Sequence, residues 1–303
     1  ESRGLGDVYK RQLSHSFPIA KAALAAAVIA CTFALACSLT GCASDGTDSS
    51  SADADNTSAS TDGKTLRVAM ELAYPPFETK DDAGNPEGLA VDFIRDFGAA
   101  YGYDVQIENT AWDGLIPSLQ SDKADLVISS MTITDERKQS VDFSDAYAMA
   151  QLAILANADS GVASIDDLNQ PGKKVAVKTG STGDVYATKN LTNAEIVRLA
   201  DESACVTEVV QGKADGFLYD QLTIYRNHQA NPDTTEAVFI PFQDAEEWGI
   251  AVKKGNTELL DQLNAFIAQS KTDGEFDRLT EKCLADEKKA FDQYGFKWFF
   301  DFE

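Results

Sequence analysis

The chain has 303 residues, enough for about two domains. With 44% hydrophobic and 9% aromatic residues it can bury real cores, so we expect most of it to be globular. Its formal net charge of -23 argues against nucleic acid as a partner, because phosphate binding needs clustered cations. The same acidity favours solubility and weak self-association, and hence a monomer.

The first 63 residues are expected to lie outside the fold. Residues 1–14 begin with Glu1 and receive no assignment; a non-native stretch and a misplaced start both stay open. Lys21 then precedes an uncharged run at 22–39, which would span about 27 Å as a helix. Residues 1–41 are therefore predicted to be a signal peptide region, with an uncleaved membrane anchor as the alternative.

The sequence LTGC at residues 39–42 resembles a bacterial lipobox, in which the cysteine is lipidated and becomes the new N-terminus. Cys42 is therefore the predicted lipidation site. The following residues, up to 63, are polar and lack large apolar side chains, so 42–63 is predicted to be a disordered linker after the lipid. This order places the folded body outside the cytoplasmic membrane, anchored at the cell surface or in the periplasm.

From residue 65 onward, short apolar runs alternate with helical ones. Residues 65–70 predict a buried strand, and residues 88–102 carry apolar side chains at helical spacing on one face. A strand at 105–108, a helix at 113–121 and a strand at 125–128 complete a βαβαβ pattern. Such alternation favours a parallel sheet with helices on its faces.

The alternation restarts in the second half of the chain. The predicted strands are 152–155, 173–177, 195–199 and 215–219, with helices after 180–184, through Cys205 and from Asp220. Residues 246–256 then lead into a strong helix that Asn256 can cap. The sequence therefore predicts two similar α/β lobes, and the aromatic tail at 283–303 is expected to pack on the first of them.

Motifs for several other chemistries are missing from the sequence. The chain has two histidines and no CxxC pair, so neither a metal site nor a cofactor is expected. It has no GxSxG and no Walker motif either.

Six segments in register resemble the family 3 extracellular solute-binding proteins, the amino-acid receptors of ABC importers. The segments are AYPPFE (73–78), GLAVDF (88–93), WDGLIPSLQ (112–120), ISSMTITDERK (128–138), VAVKTGSTG (175–183) and GKADGFLYDQ (212–221). The resemblance implies an α/β, two-lobe, periplasmic-binding-protein-like fold of type II, with a mixed sheet in each lobe. Lobe I is then expected at 64–149 plus 246–303 and lobe II at 150–245, hinged by two crossover strands. The ligand is expected in the cleft between the lobes.

The resemblance further implies a clamp for a zwitterionic amino acid. Arg137 is expected to hold the ligand carboxylate, because its planar guanidinium can form two charge-assisted hydrogen bonds at once. Asp220 is expected to bind the ammonium group. The other expected contacts are Thr132, Ser181 and Thr182 to the carboxylate, the Ser130 carbonyl to the ammonium group, and Met131 in the same segment.

Each polar residue also has a plainer interpretation. Arg137 could belong to a solvated helix turn, since most charge runs are on the surface. Asp220, Ser181 and Thr182 could simply cap helices, and Thr134 is predicted to be a plain N-cap.

The remaining predicted site residues concern the ligand side chain. Tyr74 and Trp112 resemble the aromatic pair that encloses it, whereas Phe77 is predicted to be core. Glu71 and Lys178 are expected to set specificity, or else to pair with each other across the cleft. Glutamine-like or cationic amino acids fit these residues best, and cystine is a further candidate.

The predicted function is a lipid-anchored extracellular receptor that binds a polar or cationic α-amino acid and delivers it to an ABC permease. Its expected partners are the free amino acid, the permease and, through the lipid, the membrane; no catalysis is expected. The alternative is a dehydratase on the same fold, resembling cyclohexadienyl dehydratase. For that enzyme Glu71 is the one candidate in the cleft for a catalytic acid or base.

Overall fold

The structure, a computed structural model, describes residues 64–302. The predicted signal region 1–41, the lipidation site Cys42 and the linker 42–63 lie outside these residues. Within the described part, no helix is both long and apolar enough to cross a membrane. The same residues contain no cluster of three or more His, Cys, Asp or Glu placed to hold a metal ion.

The first sheet has five strands. In spatial order they are β4 (Tyr103–Asn109), β1 (Lys64–Met70), β5 (Leu126–Val127), β14 (Ala251–Lys253) and β6 (Val141–Phe143). β1 runs parallel to β4 and β5, which confirms the predicted βαβαβ unit, while β14 is antiparallel to β5 and β6. The helices of this unit are α1 (Leu89–Tyr101) and α2 (Leu115–Gln120), and a short hairpin, β2 (Thr79–Lys80) with β3 (Pro86–Glu87), precedes α1.

The second sheet repeats this arrangement. Its spatial order is β10 (Glu195–Leu199), β9 (Lys174–Lys178), β11 (Gly216–Asp220), β8 (Leu152–Asn157) and β12 (Thr235–Val238). The first three strands are parallel, and β8 is antiparallel to β11 and β12. The flanking helices are α3 (Ile165–Leu168), α4 (Thr182–Asn190), α5 (Glu202–Val210) and α6 (Gln221–Ala230). Two mixed sheets with flanking helices confirm the predicted α/β fold class.

Two strands connect the sheets. β7 (Ala148–Ala150) leaves the first sheet and β13 (Glu246–Trp248) returns to it, and the two pair in antiparallel register. They correspond to the two crossover strands that the resemblance implies. The lobe boundaries given above stay a prediction.

The C-terminal segment forms three helices, of which the sequence predicts only the first, α7 (Thr257–Ser270). The two that follow, α8 (Glu275–Cys283) and α9 (Ala285–Tyr294), are not predicted by the sequence pattern. After α9, the fully buried Phe299 ring packs 5.0 Å from Phe77 and 5.4 Å from Trp248, centroid to centroid, in the core beside the first sheet. The Phe296 ring lies 4.4 Å from Phe239, which packs on the core of the second sheet. The tail therefore contacts both sheets, not the first alone.

Candidate functional site

Four strand ends from the two sheets surround one cavity. Glu71 follows β1 directly, and Ser129 lies two residues beyond β5 in the first sheet. In the second sheet Ser181 lies three residues after β9, and Asp220 is the last residue of β11. All four line one cavity. Since ligands of open α/β sheets bind beyond the carboxyl ends of the strands, this cavity is the candidate site.

Most of the predicted ligand-binding residues line this cavity. They are Glu71, Tyr74, Trp112, Ser130, Thr132, Arg137, Ser181, Thr182 and Asp220. Lys178 lies beside the cavity, bonded to Glu71. Met131 is 1% exposed and packs in a core with Leu115 and Val127, so its side chain supports the wall instead of lining it.

The Arg137 side chain joins the two walls of the cavity. Its Nη1 donates to the Thr132 carbonyl at 2.7 Å, and its Nη2 donates to the Gly180 carbonyl at 3.1 Å. The guanidinium carbon lies 5.2 Å from the Trp112 ring centroid, a distance typical of a cation–π contact. Burial lowers the pKa of Arg137 from its ordinary value, yet a guanidinium keeps its charge in proteins. These contacts place the Arg137 side chain in the cavity wall, so Arg137 does not belong to a solvated helix turn.

Helix α4 begins at the cavity because a glycine lets it come close to β11. A Cβ atom at Gly183 would lie 2.4 Å from the Leu218 carbonyl oxygen, so a larger residue would push the helix away. The Ser181 hydroxyl accepts the Asp184 N–H at 3.2 Å and caps the helix, as the plainer interpretation proposed. Because α4 begins at this point, its first residue, Thr182, lines the cavity.

Asp220 caps a helix and lines the cavity at once. Its Oδ1 accepts the N–H groups of Leu222 at 2.9 Å and Thr223 at 3.1 Å, at the start of α6. The same atom accepts the Tyr74 hydroxyl at 2.7 Å, which ties the two walls together. Burial raises the pKa of Asp220 above its ordinary value, although these hydrogen bonds oppose the change. The two interpretations of Asp220 are therefore compatible.

Glu71 and Lys178 form the ion pair that the sequence left as an alternative. The Lys178 Nζ donates to the Glu71 Oε2, and the side chains are 3% and 15% exposed. The Lys178 Nζ also lies 5.2 Å from the Trp112 centroid, on the ring that Arg137 contacts. Glu71 is thus charge-compensated by the protein itself.

Glu78 is a cavity residue that the sequence interpretation missed. It is 1% exposed, and its Oε2 accepts the Ser130 hydroxyl at 3.1 Å. Burial raises the pKa of Glu78 well above its ordinary value. Ser130 itself has a φ of 46°, a backbone conformation that is costly for a residue with a side chain. The sequence signal for Glu78 is its place as the last residue of the segment AYPPFE (73–78).

Glu246 is the second missed residue. It belongs to the connecting strand β13 and lines the cavity together with Trp248, two residues further along the same strand. Its Oε2 accepts the hydroxyls of Thr132 at 2.9 Å and of Thr182 at 2.7 Å. No local pattern singles out Glu246, because Glu246 and Glu247 are adjacent acids and only the fold decides which one faces the cavity.

The chain is similar to known proteins over most of its length. The family model for bacterial extracellular solute-binding proteins, family 3, matches residues 66–286. A probable histidine-binding protein of Neisseria gonorrhoeae is 35% identical over 260 residues, which cover 84% of this chain and 94% of the relative.

Two solved structures are similar as well. The ancestral amino acid-binding protein AncCDT-1, a precursor of cyclohexadienyl dehydratase, has 38% identity and a TM-score of 0.66, over 72% of this chain and 94% of that one. An ancestral arginine-binding protein bound to arginine has 36% identity and a TM-score of 0.67, over 73% of this chain and 98% of that one. The family match over residues 66–286 and the 35% identity to the histidine-binding relative establish that the chain belongs to the bacterial extracellular solute-binding proteins of family 3.

Proposed function

We propose that the chain is an extracytoplasmic receptor that binds a polar or cationic α-amino acid and delivers it to an ABC importer. The observation that carries the proposal is one cavity lined by Arg137 from the first-sheet wall and Asp220 from the second-sheet wall. An amino acid is a zwitterion, and burying both of its charges is costly unless each finds an opposite charge. Arg137 would hold the carboxylate and Asp220 the ammonium group.

The charges around the cavity favour a cationic ligand within this class. Four carboxyl side chains line the cavity, those of Glu71, Glu78, Asp220 and Glu246, of which Glu78 has its pKa raised by burial toward the neutral form, and Arg137 is the one cation among the lining residues. Lys178, beside the cavity, compensates Glu71. A ligand with a guanidinium, ammonium or imidazolium side chain would bring a further positive charge to this acidic surface. The similar proteins named for histidine and arginine are consistent with this preference.

Delivery would depend on closure of two lobes around the ligand. We propose that the lobes are 64–149 plus 246–303 and 150–245, rotating about β7 and β13. A ligand held by Arg137 and Asp220 contacts both lobes only when they are closed, so it stabilises that state. We further propose that Cys42 carries a lipid that keeps the monomeric receptor beside its permease.

Calorimetric titration with arginine, lysine, histidine, glutamine and cystine tests this function. We expect at least one of the cationic amino acids to bind, and Arg137→Ala to weaken its binding by about 100-fold, since removing one partner of a buried charge pair costs 2–5 kcal/mol. Lys138→Ala is the matched control, because it removes the same charge from the exposed neighbouring residue. The proposal fails if no amino acid binds, or if both variants bind as the unaltered protein does.

A dehydratase on the same scaffold is the second candidate, and one observation favours it. Glu78 is buried against the cavity with a raised pKa, as a general acid requires, whereas Glu71 is committed to Lys178. One similar structure is an amino acid-binding precursor of cyclohexadienyl dehydratase. Incubation with prephenate or arogenate decides the matter: turnover that is lost in Glu78→Gln would establish the enzyme, and its absence leaves the receptor.

A further inference from the structure

Glu246 makes a contact that joins the two walls of the cavity. Thr132 lies in the loop after β5 of the first sheet, and Thr182 begins α4 beside the second sheet. Both hydroxyls donate to one atom, Glu246 Oε2, at 2.9 and 2.7 Å. The other oxygen, Oε1, accepts the Gln243 side-chain amide at 2.7 Å. The carboxylate is therefore held by three donors from three segments of the chain.

Two of these donors, the hydroxyls of Thr132 and Thr182, are also expected to bind the carboxylate of an amino-acid ligand. Arg137, which is expected to bind the same carboxylate, interacts electrostatically with Glu246, and this attraction opposes the lowering of the Arg137 pKa by burial. Glu246 thus offers Thr132, Thr182 and Arg137 the same chemical group, a carboxylate, that a ligand would offer. Two carboxylates sharing these donors would repel each other, so one of them must leave.

We propose that Glu246 competes with the ligand carboxylate for Thr132 and Thr182, and so sets the affinity of the site. The inference rests on the proposed function, because it requires a ligand that carries a carboxylate. Glu246 lies on β13 opposite Ala150 of β7, and the backbones of these two strands pair. Rotation of the Glu246 side chain can therefore release the two hydroxyls without separating the crossover strands.

Competition of this kind lowers affinity by a calculable factor. The apparent dissociation constant equals the intrinsic one divided by the fraction of molecules whose donors are free. If Glu246 occupies the hydroxyls about nine-tenths of the time, its removal tightens binding about tenfold. A substitution that only damaged the site would weaken binding, so the direction of the change identifies the competitor.

The test is calorimetric titration of the full chain with arginine, lysine, histidine, glutamine and cystine, for the unaltered protein and three variants. Glu246→Ala is expected to bind about tenfold more tightly. Glu246→Gln keeps an oxygen that can accept from the hydroxyls but loses the charge beside Arg137, so a smaller gain is expected. Glu247→Ala is the matched control, since it removes the same charge from an exposed neighbour, and we expect its affinity to stay within about twofold.

The outcomes separate this inference from the proposed function. If the unaltered protein binds an amino acid and neither Glu246 variant binds it more tightly, the competition is refuted and the receptor function stands. Weaker binding by both Glu246 variants would make Glu246 a direct ligand contact, which also refutes the competition. If the unaltered protein and the Glu247 variant bind none of the five amino acids, the proposed function fails and this inference fails with it. Should Glu246→Ala not fold, Glu246→Gln decides alone.

Discussion

Replacing Asp220 by alanine and by asparagine separates its role in folding from its proposed role in binding. Asp220 Oδ1 accepts two backbone N–H groups at the start of α6 and the Tyr74 hydroxyl. Alanine removes all three acceptor contacts. Asparagine keeps an oxygen at the same place and is as good an N-cap as aspartate, but it has no charge.

The expected losses of stability follow from these contacts. Loss of an N-cap costs about 1 kcal/mol, and a buried hydroxyl left without its partner costs about 1–3 kcal/mol. Asp220→Ala should therefore lose roughly 3 kcal/mol, or about 6–12 °C in Tm for a folded part of this size. Asp220→Asn should lose less than about 1 kcal/mol of stability.

Ligand binding, unlike stability, should be weakened in both variants. The ammonium group of the ligand would lose its counter-charge in both variants, which costs about 3 kcal/mol and weakens Kd by roughly 100-fold. Thermal unfolding without ligand measures the first effect, and titration with the amino acid that binds the unaltered protein measures the second. Asp220→Asn should thus be stable but defective in binding.

Two results would contradict this reasoning. If Asp220→Asn binds within about fivefold of the unaltered protein, Asp220 is a cap alone and the ammonium assignment is wrong. If Asp220→Ala is as stable as Asp220→Asn, the contacts to α6 and Tyr74 do not contribute as argued.

Two further predictions concern Glu78 and the C-terminal tail. Burial raises the pKa of Glu78 above its ordinary 4.5, so the folded protein keeps a proton that the unfolded chain releases. Its contribution to stability is therefore fully present below about pH 4.5 and falls as the pH rises, by at most ~1.4 kcal/mol per unit, until Glu78 ionises in the folded state. Urea unfolding between about pH 5 and 7 should show a flatter pH dependence for Glu78→Gln, and equal slopes would refute the assignment. Phe299→Ala should cost about 3–5 kcal/mol, because the ring is fully buried on Phe77 and Trp248. Tyr294→Ala, at a residue 44% exposed, should cost much less, and similar shifts in Tm for both variants would contradict the packing argument.

Local patterns were sufficient to predict most of the secondary structure. Helix α1 was readable because its apolar residues recur at helical spacing, and the observed buried face contains Phe93, Ile94 and Phe97. Helix α8 was missed although Phe276 and Leu279 carry the same kind of spacing and are its buried residues. The signal there is shorter, with two buried positions in nine residues, and strong charges surround it.

The site was predicted as a set of residues but not as a set of contacts. The family resemblance named Arg137, Asp220, Glu71 and Lys178, and three of these four line the cavity. The sequence left open whether Glu71 and Lys178 would pair, because the two residues are 107 positions apart and lie at the ends of strands of different sheets. That pairing depends on how the sheets face each other, which no local pattern contains.

The sequence by itself determined the parallel strands of both sheets, most of the helices and the family motifs, since periodicity and short-range turn chemistry are encoded by neighbouring residues. Only the tertiary structure decided that Glu78 and Glu246 enter the cavity and that Glu247 does not. The reason is physical: a carboxylate is placed by the donors that surround it, and Thr132, which donates to Glu246, lies 114 positions away from it in the sequence.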